Sequence, residues 1–229
     1  MYLIILLDAY MSLQKNKLKW QIFFVLSFVS FTLSANERID IADFSQNDKT
    51  GWQSHSFKDE TNYQLVKDDN LTVLQAKSHN SASGLVKKVS VNLNETPYLN
   101  WSWKVDHSLY RLAEDLKQGD DFAARIYVII DGGLLFWRTL ALNYVWASGK
   151  PVQSMWENPF TSNAMMLAIE SGDKLKNQWI SEKRNVRQDL IKAFGRDFEF
   201  IDAVAIMTDT DNSGQQATAY YADIFFTSE

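Results

Sequence analysis

The stretch that decides the fold is Tyr98–Val105, which reads Y-L-N-W-S-W-K-V. Its residues alternate in character, with Leu99, Trp101, Trp103 and Val105 on one side and polar residues on the other. Period-two alternation of this kind is typical of a strand with one buried face. We therefore predict a strand whose two tryptophans lie in the core, because buried aromatic rings dominate the cores of β-sandwiches.

Strand-like runs continue on both sides of this stretch. They are Tyr63–Val66, Leu71–Ala76, Leu85–Leu93, Phe122–Ile130, Leu140–Ala147, Met165–Glu170, Asp202–Thr208 and Ala217–Thr227. Two other segments, Ser108–Lys117 and Val186–Phe194, space their apolar residues as a helix does, and a glycine follows each. Many short strands with one or two short helical inserts predict an all-β fold, a jelly-roll-type β-sandwich. We expect residues 36–229 to form it as a single domain.

The N-terminal residues predict export. A basic stretch, Lys15–Lys19, precedes the apolar run Trp20–Leu33, and small residues ending at Ala35 follow. This is the order of a secretory signal peptide, which we assign to residues 1–35, with Met11 as an alternative start. The apolar run is short for a membrane span, which needs about 20 residues, so an uncleaved anchor is the second interpretation. Either way we expect a periplasmic or secreted protein whose only membrane contact is this segment.

Composition excludes several classes of function. The formal net charge is −5, which is a poor match for nucleic acid or anionic lipid and favours neutral or cationic partners. There is no cysteine, so the chain has no lipoprotein anchor, disulfide or thiolate chemistry. No nucleophile elbow, phosphate-binding loop or dinucleotide-binding motif occurs, and the three histidines have no metal-ligand spacing.

A first candidate site combines Asp120 and Asp121 with Arg125, just before and within the predicted strand Phe122–Ile130. Alternation puts Arg125 on the side opposite the apolar stripe. Adjacent carboxylates can hydrogen-bond sugar hydroxyls or bind a cation. The alternative is a solvated turn in which Arg125 pairs with one of the aspartates.

A second candidate is the acidic loop Asp209–Gly214, between the last two predicted strands. Its alternating oxygen ligands suit Ca²⁺, although Tyr220 at the twelfth position excludes an EF-hand. The alternative is a turn in which aspartate and asparagine side chains bond the backbone. A separate structural Ca²⁺ that ties the chain ends together would involve Asp43 and Asp223.

Aromatic residues are a third source of candidates, because their rings stack on the apolar faces of sugars. Trp137 and Trp156 stand in loop-like stretches and are candidates for the surface. Trp146 and Tyr144 share one side of the predicted strand Leu140–Ala147 and are further candidate ligand contacts.

Seven motifs in order resemble one bacterial family, the domain of unknown function numbered 3047. They are W-S-W-K-V-D (101–106), D-D-F-A-A-R-I-Y-V (120–128), N-Y-V-W-A (143–147), E-S-G (170–172), W-I-S-E-K-R-N-V-R-Q-D (179–189), A-I-M-T-D-T-D-N-S (205–213) and Y-Y-A-D-I-F-F (220–226). The resemblance implies an exported bacterial protein with a galactose-binding or lectin-like sandwich, and it implies no catalytic residues. It marks as characteristic, without assigning roles, Trp103, Asp120, Asp121, Arg125, Tyr144, Trp146, Arg184, Asp209, Asp211 and Asn212.

Three hypotheses follow from the sequence. The first is an exported glycan-binding protein in which Trp146 or Trp156 stacks on the sugar and hydrogen bonds come from Asp120, Asp121, Arg125, Asp211 and Asn212. The second is a glycan-acting hydrolase or lyase with Asp121 and Asp209 as acid and base. The third is a structural envelope protein that binds another protein through an exposed apolar patch.

Overall fold

A computed structural model describes residues 37–133 and 138–229 of the chain. The predicted signal peptide and Trp137 lie outside these described residues. The described residues form fourteen strands: β1 (Arg38–Ala42), β2 (Gln53–Lys58), β3 (Asn62–Asp68), β4 (Leu71–His79), β5 (Ala82–Asn92), β6 (Tyr98–Val105), β7 (Arg125–Ile130), β8 (Leu140–Ala147), β9 (Met155–Asn158), β10 (Thr161–Ser171), β11 (Ile180–Asn185), β12 (Phe200–Asp209), β13 (Gln216–Tyr221) and β14 (Ile224–Thr227). One α-helix, α1 (Val186–Phe194), and two short 3₁₀ turns, Phe44–Gln46 and Lys117–Gly119, complete these elements.

The strands form two seven-stranded sheets. The first has the order β1-β14-β6-β13-β4-β3, with β11 on the other edge of β6, and the second has the order β2-β5-β12-β7-β8-β10-β9. Among the described pairs, β8 and β10 run parallel and the others run antiparallel. This arrangement confirms the predicted all-β sandwich with a single short α-helix. Within the described residues, no helix combines the length and the apolar character that a membrane crossing requires.

The core lies between the two sheets and is built on aromatic rings. Trp101 and Trp103 of β6 are buried, as the alternation predicted. Trp101 stacks on Tyr144 of the other sheet with ring centroids 5.3 Å apart, and Trp103 meets Trp146 edge-on at 5.8 Å. Large rings in these geometries fill the space between sheets and contribute beyond the area they bury. The β6–β8 contact therefore joins the two sheets.

The helix predicted at Val186–Phe194 is confirmed with the same bounds. Asn185 caps its start, because its side-chain oxygen accepts a hydrogen bond from the Gln188 N–H at 3.0 Å. Gly195 ends it with a φ of 70°, a left-handed conformation that favours glycine.

The helix predicted at Ser108–Lys117 is wrong. Its backbone N–H groups bond side chains elsewhere in the chain: that of Ser108 donates to Asp173 Oδ1 at 2.7 Å and that of Tyr110 to Gln215 Oε1 at 2.9 Å. Backbone groups that are satisfied in this way have no need of a helix. Only Lys117–Gly119 forms a single 3₁₀ turn.

Candidate functional site

A groove of about 480 Å³ lies on the face of the second sheet that points away from the core. Successive side chains of a strand point to opposite faces, so the neighbours of buried core residues reach this outer face. Strand β7 contributes Arg125 and Tyr127, β8 contributes Asn143, and β12 contributes Met207 and Asp209. The regular sheet therefore supplies the base of the groove.

Loops and four further strands, β2, β5, β9 and β10, supply the rest of the lining. The segment before β7, predicted to be a strand from Phe122, is irregular until Arg125 and brings Asp120 to the groove. The turn after β12 brings Asp211 and Asn212 to the same place. The sequence-predicted clusters thus converge, although they are about 90 residues apart in the chain.

The central contact of the groove is a buried ion pair between Arg125 and Asp209. Their side chains are only 4% and 3% exposed. Arg125 Nε donates to Asp209 Oδ1 at 2.8 Å and Nη2 donates to Oδ2, a two-pronged contact that matches the planar guanidinium to the carboxylate. Burial raises the pKa of Asp209, and the guanidinium beside it opposes that shift. The pair therefore cross-links β7 and β12 beneath the groove.

Arg125 also organises the segment that precedes it. Its Nη2 donates to the backbone oxygen of Asp120 at 2.5 Å, and its guanidinium lies 4.3 Å from the centre of the Phe122 ring. A third contact joins Nη1 to the hydroxyl of Tyr127 at 3.2 Å. The pairing of Arg125 with Asp120 that the alternative interpretation offered is present, at 3.8 Å, but Asp120 and Asp121 are buried instead of lying in a solvated turn.

Asp121 anchors the turn after β12. It is fully buried, and its Oδ1 accepts from the backbone N–H and the side-chain amide of Asn212 at 3.2 and 3.1 Å. Its Oδ2 accepts from the Ser213 N–H at 2.6 Å. The Asp121 carboxylate accepts hydrogen bonds from backbone N–H groups of a turn 91 residues away. Aspartate and asparagine side chains more often make this contact within their own turn.

These contacts bear on the predicted acid–base pair. Both oxygens of Asp121 and both oxygens of Asp209 accept hydrogen bonds from groups of the protein itself. A general acid or base needs an oxygen that can face the substrate. The observed geometry gives Asp121 the role of a turn anchor and Asp209 that of an ion-pair partner, and so does not support acid–base roles for them.

Asp120 and Asp211 keep unused hydrogen-bonding capacity. Asp120 Oδ2 accepts from Asn158 Nδ2 at 2.8 Å, whereas its buried Oδ1 has no hydrogen-bond partner among the described residues and lies 3.8 Å from Arg125 Nη1. Asp211 is half-buried and accepts from Asn212 Nδ2 at 3.0 Å. Burial raises the pKa of both carboxyls.

Three of the carboxylates could share a cation, as the acidic-loop prediction suggested. One oxygen from each of Asp121, Asp209 and Asp211 lies within 4.8 Å of the other two. The oxygens of Asp121 and Asp209 already face N–H donors and the Arg125 guanidinium, so a metal ion would compete with these groups and be repelled by a positive charge.

Arg184 does not join the groove. It bonds both oxygens of Asp189 at 2.9 and 2.7 Å, and its Nη1 donates to Gln153 Oε1 at 3.1 Å. Asp189 also accepts from the Tyr144 hydroxyl at 3.0 Å. Arg184 therefore connects β11 to α1 instead of contacting a ligand in the groove.

The burial of Tyr144 and Trp146 corrects the prediction that these two residues contact the ligand. Tyr144 is 0% and Trp146 is 1% exposed, and their rings pack on Trp101 and Trp103 between the two sheets, so they lie on the face of β8 opposite the groove. Trp156 is half-buried outside the groove lining; its Nε1 donates to the Glu114 backbone oxygen at 3.1 Å and its ring packs near Phe122. Alternation placed Trp146 and Tyr144 on an apolar face, which was the signal of a core role.

Asp43 and Asp223 lie together, but a serine stands between them. Asp223 accepts from the Ser45 N–H at 2.8 Å and from its hydroxyl at 2.6 Å, and that hydroxyl lies 3.3 Å from Asp43 Oδ1. Asp223 thereby satisfies a backbone donor at the turn Phe44–Gln46. These contacts account for both side chains without an ion.

The sequence did not predict nine residues of the groove lining, among them Phe57, Phe160 and Asn143. Phe57 and Phe160 line it and are 71% and 54% exposed, and Asn143 lines it with 1% exposure. The Asn143 side-chain oxygen has no hydrogen-bond partner among the described residues. Its signal was a polar residue within an apolar strand, whereas Phe57 and Phe160 stand in polar or irregular stretches that give no periodic signal.

Several solved carbohydrate-binding modules are similar to the chain. A family 30 module of a cellulosomal cellulase from Clostridium thermocellum is 15% identical with a TM-score of 0.47 over 84% of this chain and 98% of that one. A family 11 module from the same organism, in complex with a β-1,3-1,4-mixed-linked tetrasaccharide, is 11% identical with a TM-score of 0.45 over 84% and 96%. A family 29 module from Piromyces equi is 10% identical with a TM-score of 0.40 over 85% and 92%. Scores below 0.5 carry no inference about ligand or mechanism.

The family comparison is more direct. No curated protein matches the sequence. The model of the family described as "Protein of unknown function (DUF3047)" matches residues 50–225, which include the whole second sheet, most of the first and every carboxylate of the groove. The resemblance seen in the motifs is therefore confirmed, and the chain belongs to the DUF3047 family.

Proposed function

We propose that the protein is an exported glycan-binding protein and that the groove on the second sheet holds the saccharide. The observation that carries this proposal is the combination of exposed aromatic rings with buried polar groups in one groove. Phe57 and Phe160 provide the rings, while Asp120, Asn143 and Asp211 provide the polar groups.

This combination matches the chemistry of a sugar. A pyranose ring has apolar C–H faces that stack on aromatic rings, and its hydroxyls donate to carboxylate and amide oxygens. Ligand sites that hold small molecules measure roughly 300–1,000 Å³, and the groove of about 480 Å³ falls within that range.

The predicted export is an independent argument for the same proposal. The predicted signal peptide would deliver the domain to a compartment that contains envelope or environmental glycans. N-terminal sequencing of the mature protein tests this part, with a start near Ala35 or Asn36 expected. An intact Met1 on the mature protein would contradict it.

Affinity electrophoresis through gels that contain soluble polysaccharides tests the binding itself. We expect retardation by at least one polysaccharide and a loss of about tenfold in affinity for Phe160→Ala, the size of one lost aromatic contact. Phe200→Ala is the matched control, because Phe200 is 43% exposed at the opposite end of β12 from Asp209.

The outcomes separate the hypotheses. Absence of retardation by every polysaccharide in a broad panel would reject the proposal, as would equal losses for Phe160→Ala and Phe200→Ala. Release of reducing ends or unsaturated sugars in the same mixtures would favour the glycan-acting enzyme instead.

A further inference from the structure

Among the described residues, the buried side-chain atoms of the groove that lack a hydrogen-bond partner are acceptors. Asp120 Oδ1 and Asn143 Oδ1 are buried without a hydrogen-bond partner among the described residues. Asp211 receives one side-chain donor, Asn212 Nδ2, and remains half-buried at the groove. Buried acceptors without donors are costly, so a ligand that supplies donors is favoured over one that supplies acceptors.

The charges in and around the groove also favour a ligand that supplies hydrogen-bond donors. Four carboxylates stand there, Asp120, Asp121, Asp209 and Asp211. Among the described residues, Arg125 lines the groove with them, Lys58 bonds the Asp211 backbone and Lys117 lies against the Phe160 ring.

Each cation already has a position in the fold. Arg125 is held by Asp209 through hydrogen bonds and lies 3.8 Å from Asp120 Oδ1, beyond hydrogen-bond distance. The ammonium of Lys58 donates to the Asp211 backbone oxygen at 3.1 Å and to Asn80 Oδ1 at 3.2 Å, and Lys117 lies 5.2 Å from the centre of the Phe160 ring. The carboxylates of Asp120 and Asp211 are thus left without a direct hydrogen bond from a cation.

The aromatic residues add to this preference. Aromatic faces attract cations through the ring quadrupole, and the contact of Lys117 with Phe160 shows that a ring of this groove accepts an ammonium group. Phe57 and Tyr127 provide further rings in the lining. An anionic ligand, in contrast, would meet carboxylates at the base of the groove.

We infer that the saccharide bound in the groove carries a free, protonated amine, as a hexosamine unit does, and that its ammonium group is held by Asp120 and Asp211. This inference rests on the proposed glycan-binding function and names the ligand class for that site. Uronic-acid and sulfated glycans are disfavoured, because their anionic groups would be repelled by the same carboxylates.

Isothermal titration calorimetry with four oligosaccharides of equal length tests the inference. They are a glucosamine oligomer with free amines, its fully N-acetylated counterpart, a cello-oligosaccharide and an oligogalacturonate. We expect the amine oligomer to bind at least about tenfold more tightly than its acetylated counterpart, with a difference that shrinks as salt is raised, and the oligogalacturonate to bind most weakly.

Variants locate the ammonium group. Asp211→Asn removes the charge at a half-buried position and should bring the affinity for the amine oligomer down to that for the acetylated oligomer. Asp120→Asn should do the same, with circular dichroism to verify folding. Asp40→Asn is the control, since Asp40 lies on β1 in the other sheet and is exposed.

The results also distinguish this inference from the function on which it rests. Equal binding of the amine and acetylated oligomers, or tightest binding of the oligogalacturonate, would overturn the inference and leave glycan binding in place. No binding of any saccharide, here and in the polysaccharide panel, would overturn both. Binding that requires added Ca²⁺ and is abolished by EDTA would assign the carboxylates to a metal ion and overturn the inference.

Discussion

Arg125 and Arg184 make the same kind of contact in two different surroundings. Each arginine holds both oxygens of an aspartate, and each pair lies beside a tyrosine hydroxyl. The Arg125 side chain is 4% exposed beneath the groove, whereas the Arg184 side chain is 22% exposed where β11 meets α1. Arg125 and Asp209 are 84 residues apart in the chain, whereas Arg184 and Asp189 are five residues apart.

The difference in sequence separation indicates the structural role of each ion pair. A pair formed between near neighbours in the sequence stabilises a local junction, here the entry of β11 into α1. A pair formed between β7 and β12 holds together two distant segments, and both of these line the groove. The same chemistry therefore serves local folding in one region and construction of the candidate site in the other.

Arg125→Met is the strongest way to test this comparison. Removal of the guanidinium leaves Asp209 buried and unpaired, so we expect a loss of about 3–5 kcal/mol in the free energy of unfolding. Urea denaturation measures it. The double variant Arg125→Met/Asp209→Leu should recover part of that loss, because the Asp209 charge is then no longer stranded, whereas the Asp120 carboxylate still lacks the cation 3.8 Å away. A cost below about 1 kcal/mol for the single variant would contradict the assignment of a buried pair.

Arg184→Met should cost less, about 1–2 kcal/mol, because solvent reaches this pair and screens it. The Tyr144 hydroxyl continues to donate to Asp189, so one partner of the carboxylate survives. The same urea experiment measures the cost, and affinity electrophoresis should show unchanged saccharide binding. A loss as large as that of Arg125→Met, or a loss of binding, would remove the distinction between the two regions.

The sequence predicted the fold better than it predicted the site. Alternation in β6 identified the core face, and the α1 bounds followed from apolar spacing and a terminal glycine, because both patterns record burial that is set locally. The segment Ser108–Lys117 had the same local spacing, but its backbone hydrogen bonds go to side chains about 65 and 105 residues away. Partners at that distance leave no periodic trace.

The site shows the same limit. The polar clusters at Asp120 and Asp209 could be recognised in the sequence because charged residues there directly adjoin apolar, strand-like runs. Their pairing through Arg125 was not, because it depends on the register of β7 against β12. The sequence predicts aromatic contacts from Trp146 or Trp156, but Trp146 packs in the core and Trp156 lies outside the groove lining, whereas Phe160 reaches the groove.

Glu182→Gln is expected to have the smallest effect on the free energy of unfolding, and it tests the electrostatic environment of Arg184. Burial, together with the nearby carboxylate of Glu170, raises the pKa of Glu182 to about 7. The folded protein therefore binds a proton that the unfolded chain, with an ordinary glutamate pKa of 4.5, has released. Stability should accordingly fall as the pH rises from about 4.5 through about 7.

Glutamine mimics the protonated acid, so Glu182→Gln should remove this fall and stabilise the protein at pH 8 by about 1 kcal/mol, a value reduced by solvent screening at a half-buried position. At pH 4 the variant and the parent should unfold alike. Thermal unfolding at both pH values measures this, with Glu157→Gln as the control, since Glu157 is the exposed residue of β9. A fall in stability with pH that persists in Glu182→Gln would contradict this assignment, because it would have to come from the other carboxyls whose pKa burial raises, Glu114, Glu170 and the groove aspartates.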